Sequence, residues 1–98
     1  MKRYRRRFTP ESSRIIAHLA PEVKRLIRSS IDELTSEPSK GDELQMELSG
    51  FRSLKSKRYR IIYKVNDADS SIDIYYVGPR KDVYNNFRKL LEKWKGEL

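Results

Sequence analysis

Arg58-Tyr59-Arg60-Ile61-Ile62-Tyr63-Lys64-Val65-Asn66-Asp67-Ala68-Asp69-Ser70-Ser71-Ile72-Asp73-Ile74-Tyr75-Tyr76-Val77 reads as two strands around a tight turn. Tyr59, Ile61, Tyr63 and Val65 recur every second residue, and Arg60, Ile62 and Lys64 fill the gaps. That two-residue period and the β-branched and aromatic content are the marks of a strand. Asn66 to Ser70 is rich in turn formers, and Ile72 to Val77 returns. Gly78-Pro79 stops the second strand.

Upstream, Phe51 to Lys57 has room for a further strand ahead of Tyr59. Three consecutive strands joined by short turns predict an antiparallel meander. Pro38 to Gly50 is polar, with Gly41 and Gly50 as breakers; Leu44, Met46 and Leu48 alternate and predict a short extended stretch. Before it, Val23, Leu26, Ile27, Ile31 and Leu34 follow a helical period after Pro21-Glu22, with Ser30 on the same stripe. Thr9-Pro10-Glu11 opens an earlier helix marked by Ile15, Ile16, Leu19 and Ala20, with Thr9 as cap and Pro10 at the first helical position. Lys2 to Phe8 reads as a first strand. Downstream, Lys81 onward is helical, with Val83, Phe87, Leu90, Leu91 and Trp94 on one face.

The predicted order is β-α-α-β-β-β-α over a single domain, residues 1–98. The fold class is α+β: a small curved antiparallel sheet with an N-terminal helical hairpin and a C-terminal helix.

Composition narrows the function. The 98 residues hold 22 Lys and Arg against 14 acids, a formal charge of +8. This is the footprint of a protein that meets a polyanion. From Arg52 to Lys64 there are six basic residues and no acid, so the second half is expected to carry the anion contact. Cysteine is absent, which excludes a disulfide framework and thiolate metal sites. No apolar run is long enough for a transmembrane helix, and no apolar segment follows the basic N-terminus as in a signal peptide. The expected location is the reducing cytoplasm, without membrane contact.

There is no Gly-rich phosphate loop and no metal-ligand spacing, so neither cofactor nor metal is expected. The single histidine, His18, lies beside the apolar stripe of the first helix and reads as a boundary residue. The basic side chains Arg52, Lys55, Lys57, Arg58, Arg60 and Lys64 fall on two adjacent strands and their turn. Arg80 ends the next strand, and Tyr84 follows four residues later. The meander is expected to gather Arg52, Lys55, Arg60, Arg80 and Tyr84 into one concave basic patch. Such a patch suits RNA: guanidinium and ammonium groups meet phosphate oxygens, and a tyrosine ring stacks on a base. Cleavage by the RNA's own 2′-hydroxyl needs no metal; it needs in-line placement, charge stabilisation and proton transfer to the leaving oxygen. A solvated basic face without chemistry fits the composition as well.

The pattern Leu48-Ser49-Gly50-Phe51-Arg52-Ser53-Leu54-Lys55, then Tyr59-Arg60-Ile61-Ile62-Tyr63, then Val77-Gly78-Pro79-Arg80-Lys81-Asp82-Val83-Tyr84 resembles the RelE/ParE superfamily of type II toxins, over roughly residues 4–87. The resemblance implies a ribosome-dependent, metal-independent endoribonuclease that cleaves mRNA, inhibits translation and is bound by a cognate antitoxin. By position, it implies Arg60 and Arg80 on the phosphate, Arg52 or Lys55 for proton transfer or charge, and Tyr84 on the substrate base. Lys57, Arg58, Lys64 and Lys81 are the implied further RNA contacts. Pro79 stands where such proteins often have His, and Ser56-Lys57-Arg58 replaces a Gly-containing turn. Two alternatives follow: a ParE-like inhibitor of DNA gyrase, whose branch lacks the basic set, and a catalytically weak scaffold that binds antitoxin or RNA.

Overall fold

The computed structural model describes residues 3–96. In chain order it contains β1 (Arg5–Phe8), α1 (Pro10–Ala17), α2 (Pro21–Ser36), β2 (Asp42–Glu43), a 3₁₀ turn (Met46–Leu48), β3 (Arg52–Ser56), β4 (Tyr59–Asn66), β5 (Ser71–Pro79) and α3 (Val83–Gly96). One five-stranded sheet has the order β1-β5-β4-β3-β2. The α+β class and the β3-β4-β5 meander are as the sequence predicts. The predicted first strand begins later, at Arg5, and its Lys2 lies outside the described residues.

Two features of the sheet differ from expectation. β1 joins β5 in parallel, Arg5 opposite Ser71 and Phe8 opposite Ile74, so the sheet is mixed rather than wholly antiparallel. The helical hairpin between β1 and the meander is the crossover such a parallel pairing needs. The extended stretch expected over Leu44 to Leu48 is instead a 3₁₀ turn, and the extra strand falls earlier, at Asp42–Glu43.

Each sheet face has its own cover. Ile16 of α1 and Ile27, Ile31 and Leu34 of α2 pack on Leu54, Ile61, Tyr63, Ile72, Ile74 and Val77. On the opposite face, Val83 and Phe87 of α3, with Leu48 and Phe51, pack on Ile62. The α2 stripe is as read, except that Leu26 at its edge is only half-buried. Burial of both faces explains why Ile62 is fully buried in a position the alternation assigns to the outer side.

A bulge reconciles β5 with this division. Ile62 pairs with Tyr76, but the next residue, Tyr63, pairs with Ile74, leaving Tyr75 as the extra residue. Ile72, Ile74 and Val77 therefore all meet the hairpin, although 77 breaks the parity of 72 and 74. Tyr75 and Tyr76 both turn to the α3 side. The N-terminus of α1 is capped as predicted, Thr9 Oγ1 accepting from the Ser12 amide at 3.1 Å. The buried Ser12 hydroxyl donates to the Ile74 carbonyl at 2.8 Å and ties α1 to β5.

Candidate nucleic-acid interface

The faces of β3 sort the expected basic residues. Leu54 packs with Ile61 on the hairpin side, and Ser56 hydrogen-bonds Ser30 of α2 at 2.7 Å, so even-numbered residues of β3 face the hairpin. Ser53 and Lys55 therefore face α3. Lys55 stands directly opposite Arg60 on β4, and Arg60 opposite Gly78 on β5. This row, beyond the start of α3, is the centre of the candidate site.

Arg52 is not part of it. Its cross-strand partner is Tyr63, on the hairpin face. Its guanidinium donates to the Gly41 carbonyl at 2.7 Å and the Ser39 carbonyl at 3.3 Å, and pairs with Glu43 at 3.1 Å. Arg52 thus braces the loop before β2, and the expectation that it joins the basic patch is corrected. The cause is parity: one residue along a strand moves a side chain to the other face. The position that faces the site is Ser53, whose hydroxyl lies 3.0 Å from the Tyr84 hydroxyl. Sequence reasoning did not single out Ser53; its two-residue spacing from Lys55 was the available signal.

Lys64 is also separated. It shares the α3 face but lies four residues along β4 from Arg60, about 13 Å at strand rise. Its ammonium sits over the Phe51 ring, 4.5 Å from the centroid. It shares the lining of one pocket with Glu47, Arg88, Leu91 and Trp94, under the far half of α3. Lys64 packs there and does not extend the basic row.

The remaining residues gather at the turn end of the sheet. Lys57, Arg58, Pro79, Arg80 and Lys81 line a shallow cleft of about 520 Å³. The Arg80 amide donates to the Arg58 carbonyl at 2.7 Å, continuing the β4–β5 ladder past the turn. Lys57 and Arg58 form a two-residue turn between the paired Ser56 and Tyr59, and Lys57 takes a positive φ of 54°. A non-glycine residue there is strained by about 1–2 kcal/mol. Helix α3 begins at Val83, later than predicted, so Arg80 lies on the turn before the helix and the expected helical spacing does not relate it to Tyr84. The start of α3 lies close over β5 at Gly78, where a Cβ would stand 3.2 Å from the Tyr76 ring and 3.4 Å from the Val83 side chain.

Charge pairing distinguishes this end from the N-terminal basic run. Arg7 makes a two-pronged contact with Asp73 at 2.8 and 2.9 Å, and Arg6 pairs with Asp32. Arg7 holds the Asp73 carboxyl below its ordinary range. These arginines are matched by carboxylates of the same domain. Among the described residues, no ion pair occupies Lys55, Lys57, Arg58, Arg80 or Lys81. Arg60 has one long pair, 3.8 Å to the exposed Asp42. Its side chain is 20% exposed, and its buried Nε has no hydrogen-bond partner. A cation that is largely desolvated without close anionic partners is costly in the free protein. Tyr76, on the same face, is raised above the usual tyrosine range by burial. Among the described residues no group of three or more His, Cys, Asp or Glu is placed to hold a metal ion, and no helix is long and apolar enough to cross a membrane. His18 caps the end of α1 with its ring nitrogen 2.8 Å from the Arg14 carbonyl, remote from the basic row.

Comparison with known proteins places this arrangement in a family. Residues 3–84 match the model of the ParE toxin of the parDE type II toxin-antitoxin system. Toxin RelG of Mycobacterium tuberculosis is 30% identical over 83 residues, covering 83% of this chain and 95% of that protein. The toxin-antitoxin complex RelBE2 from the same organism contains a chain that superposes with a TM-score of 0.72 at 29% identity, covering 80% of this chain and 99% of that one. The isolated E. coli RelE toxin shares the fold, with a TM-score of 0.67 at 21% identity over 90% of this chain and 98% of that one. The mixed sheet between a helical hairpin and a C-terminal helix, with the matches along nearly its whole length, identifies the chain as a member of the RelE/ParE superfamily of type II toxin-antitoxin toxins.

Proposed function

We propose that this toxin is a metal-independent endoribonuclease that cleaves mRNA in the ribosome by attack of the 2′-hydroxyl on the adjacent phosphate. The supporting observation is Arg60: a mostly buried guanidinium, unpaired at Nε, beside Lys55 in a row that no close carboxylate neutralises. A phosphate oxygen is the kind of ligand that relieves such a group.

In this reading Arg60 and Arg80 hold the phosphate and stabilise the charge that grows on it during in-line displacement. The 2′-oxygen forms a bond to phosphorus, the bond to the 5′-oxygen breaks, and the products are a 2′,3′-cyclic phosphate and a 5′-hydroxyl. The 2′-hydroxyl loses its proton to water, and Lys55, opposite Arg60 on the row, delivers a proton to the leaving 5′-oxygen. Tyr84 lies at the edge of this row, half-buried, and stacks on a base to set the attack geometry. Lys57, Arg58 and Lys81 bind flanking phosphates, and a cognate antitoxin carrying an acidic segment covers the basic end. The RelBE2 complex is a toxin held by its antitoxin, which supports that partner.

The test is a translation reaction with purified protein and a defined mRNA, read by primer extension. Cuts that require ribosomes and disappear with Arg60→Ala are the expected result. Intact mRNA with inhibited gyrase supercoiling would move the protein to the activity of the ParE branch. Silence on both targets would leave a binding scaffold.

A further inference from the structure

The contact between Ser53 and Tyr84 joins the centre of the sheet to the start of α3. Ser53 is 1% exposed, and its Oγ lies 3.0 Å from the Tyr84 hydroxyl. Its cross-strand neighbours are Ile62 on β4, which offers no polar group, and Asp42 on β2, whose exposed carboxylate makes no hydrogen bond to it. Among the described residues, Tyr84 is thus the one side chain that hydrogen-bonds the buried serine. From the other end, the body of the Tyr84 ring packs against the cluster of Ile62, Val83 and Phe87. Packing fixes where the ring sits, and the bond to Ser53 fixes which way its hydroxyl points. A serine hydroxyl has one proton and two lone pairs, so it serves Tyr84 as donor or as acceptor. Ser53 also lies two residues from Lys55 on the same strand face, so this bond sets the tyrosine in register with the Lys55–Arg60 row.

We propose that Ser53 is a positioning residue for Tyr84, holding the ring in the orientation that RNA cleavage requires. This rests on the ribonuclease reading above. Ser53 touches no substrate; it acts through the tyrosine.

The experiment is single-turnover cleavage of a defined mRNA on programmed ribosomes, with the rate at saturating protein and the half-saturating concentration measured separately. Wild type, Ser53→Ala, Ser53→Cys, Tyr84→Phe and the Ser53→Ala/Tyr84→Phe double variant are compared, with thermal unfolding of each. Ser53→Ala is expected to slow the saturated rate about tenfold and to leave the half-saturating concentration within about twofold, since misplacing a reacting constellation costs rate more than binding. Ser53→Cys, with its weaker donor, is expected in between, and the double variant no slower than Tyr84→Phe alone. A wild-type rate in Ser53→Ala, an effect confined to the half-saturating concentration, or slowing that multiplies in the double variant would each overturn the assignment. If the wild type cleaves nothing, the ribonuclease reading has failed and Ser53's role falls with it. If the wild type cleaves and Ser53→Ala is unaffected, only the role of Ser53 falls.

Discussion

The hydroxyl of Tyr63 accepts a hydrogen bond from the Gly41 amide at 2.9 Å and donates to the Pro38 carbonyl at 2.8 Å. A fully buried residue of the central strand β4 thereby fastens the loop that leads into β2. Burial raises the Tyr63 hydroxyl above its ordinary range, so it stays a neutral donor at physiological pH. Gly41 is required here by space: a Cβ would lie 2.7 Å from the Tyr63 hydroxyl and 2.9 Å from the Ser53 carbonyl. Tyr63→Phe is expected to lower stability by about 1–3 kcal/mol, because a buried amide is left without its partner. Gly41→Ala is expected to cost a similar amount through the clash with backbone. Urea titration followed by circular dichroism measures both; a change below about 0.5 kcal/mol in Tyr63→Phe would mean the loop is held by other contacts.

Arg60 predicts opposite effects on activity and stability. A partly buried cation with a buried, unpartnered Nε and only a distant carboxylate at 3.8 Å is a strain on the free protein. Arg60→Met is expected to abolish RNA cleavage while raising stability by up to roughly 1 kcal/mol, as removal of an ill-paired, partly buried charge does. Thermal unfolding beside the cleavage assay decides it. Loss of stability together with activity would assign Arg60 a structural role.

Lys57 separates backbone strain from charge. At φ 54° it occupies a region that favours glycine. Lys57→Gly is expected to keep or slightly raise the melting temperature and to weaken RNA binding evenly across sequences. The slope of log affinity against log salt is expected to fall by about one charge. An unchanged slope would place Lys57 outside the RNA interface.

Acid stability reports on Arg7 and Asp73. Arg7 lowers the Asp73 pKa in the folded state from its ordinary value near 3.9. The stabilisation is therefore complete above the unfolded pKa and is lost as pH falls from about 4 through the folded value. Asp73→Asn is expected to cost up to about 1 kcal/mol at pH 7, as an exposed ion pair does, and to flatten the fall in stability as pH drops below about 4. Parallel pH profiles of the two proteins would show that the pair adds nothing.

The core contrast lies on α2. Ile31 is 1% exposed, whereas Leu26 is half-buried on the same helix. Ile31→Ala is expected to cost about 2–5 kcal/mol, and Leu26→Ala clearly less, since the rim can relax and admit water. Equal losses in chemical denaturation would mean that α2 is rotated on the sheet.

The sequence by itself determined the order of elements, the stripe of α2, the cap of α1 and the meander. Each is encoded by residues close together in the chain, through a period of 2 or 3.6 and through Thr, Pro and Gly at ends. It also shows a cationic surplus in the second half of the chain. Tertiary structure alone decided which face each charge occupies. Whether residue 52 or 53 faces the site depends on pairing with β4, and the parity of β5 is broken by the extra residue Tyr75. The parallel seat of β1 depends on Ser71 to Ile74, more than sixty residues away. The difference between Arg6 and Arg7, each matched by a close carboxylate, and the row of Lys55 and Arg60, with only one long pair, likewise rests on carboxylates brought from distant segments. Local periodicity carries none of this, because charge compensation acts between neighbours in space, and only folding decides which residues those are.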